Sequence, residues 1–407
     1  MSKPQSGYEL FRHGRFRGVW TANLLFNLGL AMLMLGVAWT MTSLTTSPVL
    51  VSMVQTASSL PFLLFAIPLG IATDTVGHRR MMIVSQLWML AVTAFLAVVA
   101  LADGWHLTPW LLLFAVFVLG VGIVIQQASW KPYLYELVPK DKVLAALSFN
   151  SLSSDLGRAA GPVVGGFLMG HFGTAVVLFT STVSHLYMLT VLFLTRRRHD
   201  AHSEEARDQE TSSSLRQAWR LMVRSPQLNG PVVRSAMVMI TCGAVLGLLP
   251  LEAKENIQTG PIGYGGLLAA LATGSASGAV LTPVLRRRLP LAWLSAGAAV
   301  VLGLAVIGIS QWDSMMLDAF FLTFYGFAWS VISITHLSSV QMASPENMRG
   351  LMTAVYALAV QGAMALGSFV FGVAAHHIGV SRSILAAAMV ALSSVPLVRR
   401  FPVRDGV

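Results

Sequence analysis

"GIATDTVGHRR", residues 70–80, sets one carboxylate, two arginines and a histidine between two long apolar runs. A stretch this short and this charged reads as a tight loop between two helices that leave and re-enter an apolar medium. Each flanking run reaches the roughly 20 helical residues needed to cross a bilayer core. Within the loop, Gly77 permits a sharp turn between antiparallel helices, and Gly70 lets a neighbouring backbone come close. Asp74, at the end of the preceding helix, can accept hydrogen bonds from the N-terminus of another helix, where the backbone dipole favours an anion.

Composition extends this reading to the whole chain. Of 407 residues, 55% are hydrophobic and 11% charged, against roughly a quarter charged in a soluble domain. The net charge of +10 does not indicate nucleic acid, because the bases fall in short clusters between apolar runs and not on one soluble face. One cysteine, Cys242, excludes an intrachain disulfide and a thiolate-rich metal site. No phosphate-binding glycine loop followed by Lys, no HExxH pair and no GxSxG elbow occurs, so the sequence offers no catalytic residues, cofactor or metal site.

Apolar stretches of crossing length fall near 18–43, 48–72, 80–102, 108–130, 145–170, 174–195, 229–251, 263–285, 289–310, 315–341, 350–375 and 380–398. The expected fold is an all-α membrane protein with twelve transmembrane helices in two six-helix, pseudo-symmetric bundles. The N-terminus lacks a short apolar core with a small-residue cleavage site, so the first span is expected to stay attached. With both termini cytoplasmic, 23 of the 27 Lys and Arg lie on the cytoplasmic side, Lys254 and Arg382 lie outside, and Arg158 and Arg234 fall within or at the edge of spans. That asymmetry fixes the expected orientation. Residues 1–195 form an N-terminal bundle, 196–228 a cytoplasmic linker and 229–407 a C-terminal bundle. The linker is expected to end in an amphipathic helix on the membrane surface, from the spacing of Leu215, Trp219, Leu221 and Met222.

A shift of 206 residues superposes the two halves without a gap, setting Pro139 on Pro345, Gly161 on Gly367, Gly166 on Gly372, His171 on His377 and Gly173 on Gly379. Parallel six-helix repeats of this kind place a binding site between the repeats near the bilayer midplane, with alternating access by rocking of one bundle against the other.

With twelve spans, a central linker and a half-repeat in place, the loop at 70–80 resembles the signature of the major facilitator superfamily: Gly, three residues, Asp, two residues, Gly, then a basic pair. Gly70, Asp74, Gly77, Arg79 and Arg80 fit it. The resemblance implies that Asp74 and Arg79 latch the halves in an outward-facing state, although Arg79 and Arg80 also serve as positive-inside anchors. His78 replaces a usual base. In the second half, "GAVLTPVLRRR" keeps Gly278 and the bases but has Thr282 where a carboxylate would stand.

Span five carries "SSDLGRAAGPVVGG". Gly157, Gly161, Pro162, Gly165 and Gly166 resemble the glycine and proline motif of exporters in this superfamily, with Ser148 at the place of a more distant Gly. At about 100° per residue, Gly157, Gly161 and Gly165 share one face suited to close helix contact. The same helix holds Asp155, read as the one acidic residue deep in a span, and Arg158 three residues on. They can meet on one face as a structural ion pair, or Asp155 can take and release a coupling proton while Arg158 biases its affinity. An arginine before the Gly-Pro pair, with "ELVPKDKVLAALSFNSL" and "SPENMRGLMTAVY", resembles the bacterial macrolide and enterobactin efflux group.

Span one offers Asn23 and Asn27 where proton-coupled drug exporters often carry an acid, and span four offers Gln126 and Gln127 in place of a base. These amides suit either a substrate cavity or bridges between helices. His185 and His336 are proton-relay candidates, or else interhelical hydrogen-bonding groups. The expected function is export of small amphipathic molecules, drug-like or siderophore-like, by alternating access with proton antiport. The expected partners are the small-molecule substrate, protons and the lipid bilayer of a bacterial inner membrane, and a monomer is expected. Uptake or lipid flipping by the same fold is the nearest alternative. A transport-dead membrane sensor or assembly partner is the alternative from another class.

Overall fold

The computed structural model describes residues 14–102, 107–195 and 219–397, and no strand occurs among them. Twelve long helices form two consecutive sets. The first comprises α1 (Gly14–Leu44), α2 (Pro48–Val76), α3 (His78–Leu101), α4 (Pro109–Leu137), α5 (Val143–Phe172) and α6 (Thr174–Leu194). The second comprises α7 (Pro226–Leu251), α8 (Pro261–Arg288), α9 (Leu291–Ile309), α10 (Met315–Ala343), α11 (Arg349–Ile378) and α12 (Val380–Ser393). Ten are long and apolar enough to cross a membrane. The exceptions are α5, whose 30 residues include Ser, Asn, Asp155 and Arg158, and α12, which is 14 residues long.

Local chemistry sets the helix ends. Proline opens α2, α4 and α8, where its missing N–H costs nothing, and the Thr108 hydroxyl accepts from Leu111 N at 3.2 Å to cap α4. Gly77, Gly173 and Gly379 each form a one-residue corner between antiparallel helices at φ of +96°, +81° and +89°. At each corner the glycine N–H donates to a carbonyl four residues back, Thr73, Met169 and Ala375 respectively. Left-handed backbone of this kind is costly for any residue with a Cβ.

The 206-residue repeat has a structural counterpart. Pro139 and Pro345 each precede a 3₁₀ turn, Lys140–Lys142 and Glu346–Met348. The 30-residue helices α5 and α11 then start and stop at positions 206 apart and end on the left-handed corners Gly173 and Gly379.

Most helices pack mainly on their own set, and the sets meet where α2 lies on α11 and α7 and where α5 lies on α8. Residues 1–13 and 196–218, with Leu215, lie outside the described residues. Residues 219–224 are helical. Met222 is buried against Leu228, Val340, Met352, Val355 and Tyr356, while Trp219 stays exposed. This segment therefore docks Met222 and, partly buried, Leu221 on the second set of helices.

Candidate functional site at the seam between the halves

Close packing on both faces of α5 fixes its position. On the face toward α1, a Cβ added at Gly157 would stand 2.6 Å from Asn27 Cβ, one at Gly161 2.6 Å from Ala31 Cβ, and one at Gly165 3.0 Å from Met32 Cα. The face toward α8 is as tight: a Cβ at Gly166 would lie 2.6 Å from the Pro261 carbonyl, and Gly265 abuts the Pro162 carbonyl. The span-five motif thus holds α5 to its own half along one stripe and to the other half along the next. The repeat-related pair behaves alike, with Gly367 against Ile240 on α7 and Gly372 against Ser52 on α2.

Among the described residues, the hydrogen bonds between the halves run from one end to the middle of the helices. Lys254 Nζ donates to the Thr42 carbonyl, Ser368 Oγ to the Ser52 carbonyl at 2.5 Å, and Thr56 Oγ1 to the Ala365 carbonyl at 3.2 Å. Trp39 stacks on Tyr264 with ring centres 5.7 Å apart. The fourth hydrogen bond between the halves among the described residues runs from Arg158 Nη2 to Ser275 Oγ at 3.3 Å. Arg158 stands 14 residues before the end of α5 and Ser275 14 residues after the start of α8, a depth of about 21 Å. Leu63, facing Gly362, marks similar depth between α2 and α11.

Beyond that level, no hydrogen bond or ion pair joins the halves among the described residues. The part of the seam without such bonds lies toward the end that carries Gly14, Asp74 and residues 219–224. Asp155 is half-buried just past that level. It stands seven residues before Pro162, hence on the α8-facing side of α5. It forms no ion pair with Arg158, which reaches across to Ser275 instead.

The loop at 70–80 is unengaged across the seam. Asp74 is exposed and has no hydrogen-bond partner among the described residues, and a Cβ at Gly70 would meet nothing within 4 Å. Arg79 Nη2 donates to the Leu192 carbonyl at 2.7 Å, at the end of α6 in its own half. His78 lies 3.8 Å from Glu136 on α4, and Arg80 is exposed.

The amides and histidines divide by environment. Asn23 is buried and donates to Asn150 Oδ1 at 3.1 Å and Ser153 Oγ at 2.7 Å, where Trp130 Nε1 also reaches Asn150. It bridges α1, α4 and α5. Asn27 is half-buried and donates back to the Asn23 carbonyl at 2.7 Å. Gln126 is buried and accepts from Ser85 and Gln86, and Gln86 in turn meets His185 Nδ1 at 2.9 Å. Gln127 is exposed. His336 is held on both ring nitrogens, by Ser235 at 2.7 Å and Ser295 at 2.6 Å, and Ser235 also meets Tyr356. Both histidines therefore sit in networks inside one half, away from the seam.

Asp155 is not the only carboxylate withdrawn from solvent. Glu252 and Asp318 are 1% and 0% exposed, and Arg234 is 1% exposed with Nε and Nη1 unpartnered. Glu252 and Asp318 stand at helix ends, so an apolar-run search assigns them to loops or span edges. The signal that finds them is an acid within one turn of an otherwise apolar helix boundary.

Two helix sets related by a repeat, bonded to each other along a seam toward one end, fit a membrane transporter of the major facilitator fold. The chain belongs to the family of transmembrane secretion effectors, which matches residues 5–406. It is 24% identical over 353 residues to an uncharacterized MFS-type transporter, YfiS, of Bacillus subtilis (strain 168), covering 83% of this chain and 81% of the relative. Among solved structures it is similar to a bacterial homolog of the human lysosomal transporter Spinster in an inward-facing, unoccupied conformation (TM-score 0.75, 14% identity, 98% of each chain). It also resembles the nucleoside transporter NupG (TM-score 0.80, 11% identity, 95% of this chain and 99% of that one). A third likeness is to a D-xylose-proton symporter (TM-score 0.71, 14% identity, 96% and 98%).

Proposed function

We propose that this chain is a secondary active exporter of small amphipathic molecules that exchanges them for protons by alternating access. In this reading all twelve helices cross a bacterial inner membrane, the termini and the 196–228 linker face the cytoplasm, and the protein acts as a monomer. The open cleft then faces the cytoplasm. The observation that carries the proposal is the distribution of bonds along the seam, which join the halves from one end down to Arg158 and Ser275; we read the part beyond, where no such bond occurs among the described residues, as an open cleft with Asp155 at its floor.

Asp155 is the residue we assign to the coupling proton. It is reachable from the cleft, ungripped by Arg158, and one turn from the contact that must break when the halves rock. The half-buried Asn27 and exposed Gln127 suit a substrate path, whereas Asn23 and Gln126 hold the frame behind it. Asp74 and Arg79 would engage the opposite half once the cytoplasmic ends close, where an anion at a helix N-terminus is favoured. The direction rests on the family's description as secretion effectors and on the α5 glycine motif. Proton-coupled uptake is the second reading, because a proton symporter shares the fold.

Deleting the gene and profiling both retained metabolites and sensitivity to a panel of amphipathic compounds tests direction and substrate together. Export requires at least one compound to accumulate inside the deletion strain and to be cleared on complementation. Depletion of a compound from the deletion strain, restored on complementation, indicates uptake.

A further inference from the structure

We infer that Glu252 and Asp318 form a proton-binding site that governs the closed end of the seam, separate from Asp155 at the cleft floor. Asp318 lies in the first turn of α10 and is fully buried, with both carboxylate oxygens lacking a hydrogen-bond partner. Glu252 opens a π-turn, Glu252–Asn256, that continues α7, and it lies within electrostatic range of Asp318. One of its oxygens accepts from Asn256 Nδ2 at 2.7 Å and the other has no partner. Three buried carboxylate oxygens thus lack a hydrogen-bond partner, and the one neutral hydroxyl near them, that of Ser381, stands beside Glu252 and not Asp318.

The remaining charges nearby make the deficit worse. Asp313 acts on both carboxylates and Glu255 on Glu252. The cations of this end do not compensate: Lys254 is bound to the Thr42 carbonyl and Arg382 is exposed on α12, with neither forming an ion pair to Glu252 or Asp318. The other polar groups at the pair are neutral, Asn256 and, beyond it, Ser381 at 2.8 Å. Two carboxylates buried together without donors cannot both remain ionised. A proton shared between them supplies the missing donor and removes one charge. No group of three or more His, Cys, Asp or Glu able to hold a metal ion occurs among the described residues.

The same π-turn joins this site to the seam. Glu252 is buried against Asn256, while Lys254, two residues on, crosses to α1. Parting the halves at this end breaks the Lys254 contact and moves the turn that shields the pair, so water reaches the carboxylates and the proton leaves to that solvent. Closure takes a proton back from the same side. The proton is therefore a ligand of the closed-end-shut state, and shutting is favoured as pH falls, by at most tenfold in population per pH unit for each proton bound.

The inference rests on the alternating-access reading, and its test needs no substrate. Spin labels at Thr46→Cys and Gln311→Cys, on loops of the two halves at this end, are placed in the full chain carrying Cys242→Ala and reconstituted in lipid nanodiscs. Their distance distribution is recorded between pH 5 and 9 in sodium and in potassium buffer. The short distance should gain population toward low pH in either salt. Glu252→Gln with Asp318→Asn should hold the short distance at every pH, and Asp318→Asn alone, the milder change, should flatten most of the response. A pH-independent distance in the unsubstituted pair, a wild-type pH response in both variants, or closure driven by sodium at fixed pH would each overturn the inference. The two readings fail separately: absence of gradient-driven flux in the unsubstituted protein overturns the transport reading, whereas normal flux with a pH-independent label distance overturns this inference alone.

Discussion

Arg158 and Ser275 meet at 3.3 Å across the seam, each 14 residues from the sealed end of its helix, and theirs is the deepest polar contact between the halves. Asp155, three residues earlier on α5, is left without that guanidinium. A carboxylate serving only as a helix-stabilising partner would be paired in this state. The expected phenotype of Asp155→Asn is therefore loss of gradient-driven export with substrate binding and counterflow retained, since Asn mimics only the neutral form. Adding Arg158→Gln should not restore flux. Counterflow and pH-driven transport measured on the same proteoliposomes separate the two roles, and full pH-driven transport in Asp155→Asn would move the coupling proton elsewhere.

Gly161 and Gly166 lie on the same helix but face different partners, Ala31 of the same half and Pro261 of the other. Gly161→Val should destabilise the N-terminal half by about 1–3 kcal/mol through overpacking, lowering the melting temperature of the purified protein in detergent. Gly166→Ala should leave the melting temperature nearly unchanged and instead shift the Thr46/Gln311 label distance toward the open form. Equal thermal losses in both variants would show that the two stripes do not divide the work.

Gly77 is the single residue between α2 and α3, at φ +96°. Gly77→Ala forces a Cβ into left-handed backbone, at about 1–2 kcal/mol. Asp74→Asn, by contrast, changes only a charge on an exposed residue without hydrogen-bond partners in this state. It should express normally and transport less, because the state it supports is the one with the cytoplasmic ends closed. Wild-type transport in Asp74→Asn would reduce the loop to a connector.

Much of the fold was legible in the sequence and the site only in part, for a physical reason. Apolar length and the 206-residue repeat carry the helix order, because a helix in lipid must satisfy its backbone internally and repeats of one length fold alike. Gly77 was readable as a corner from the short charged loop around it, whereas Gly173 and Gly379 stood out only as a repeat-related pair and the structure shows them as corners. The destination of a side chain was not readable. Arg158 lies one turn from Asp155 yet chooses Ser275, 117 residues away, and Asn23 and Gln126 are drawn into networks behind the cleft because their partners come from α3 and α5. Glu252 and Asp318 escaped because acids at helix ends usually face solvent, and only the packing of α7 against α10 buries them.

Charge sets the expected orientation, with 23 of 27 Lys and Arg on the side expected to be cytoplasmic. In a Cys242→Ala background, an impermeant maleimide applied to whole cells should label a cysteine at position 313 and spare one at 205. The reverse pattern would invert the membrane orientation and turn the cleft outward.

The central claim is exchange of substrate for protons, and reconstitution measures it directly. Purified protein is placed with its termini inside proteoliposomes that hold a pH-sensitive dye, with a compound identified by the deletion strain at equal concentration inside and outside. With acid outside, the compound should leave against its gradient while the interior acidifies, and both movements should stop with a protonophore or with Asp155→Asn. Compound leaving at an unchanged rate after the proton gradient is collapsed, or compound and protons moving in the same direction, would contradict the account.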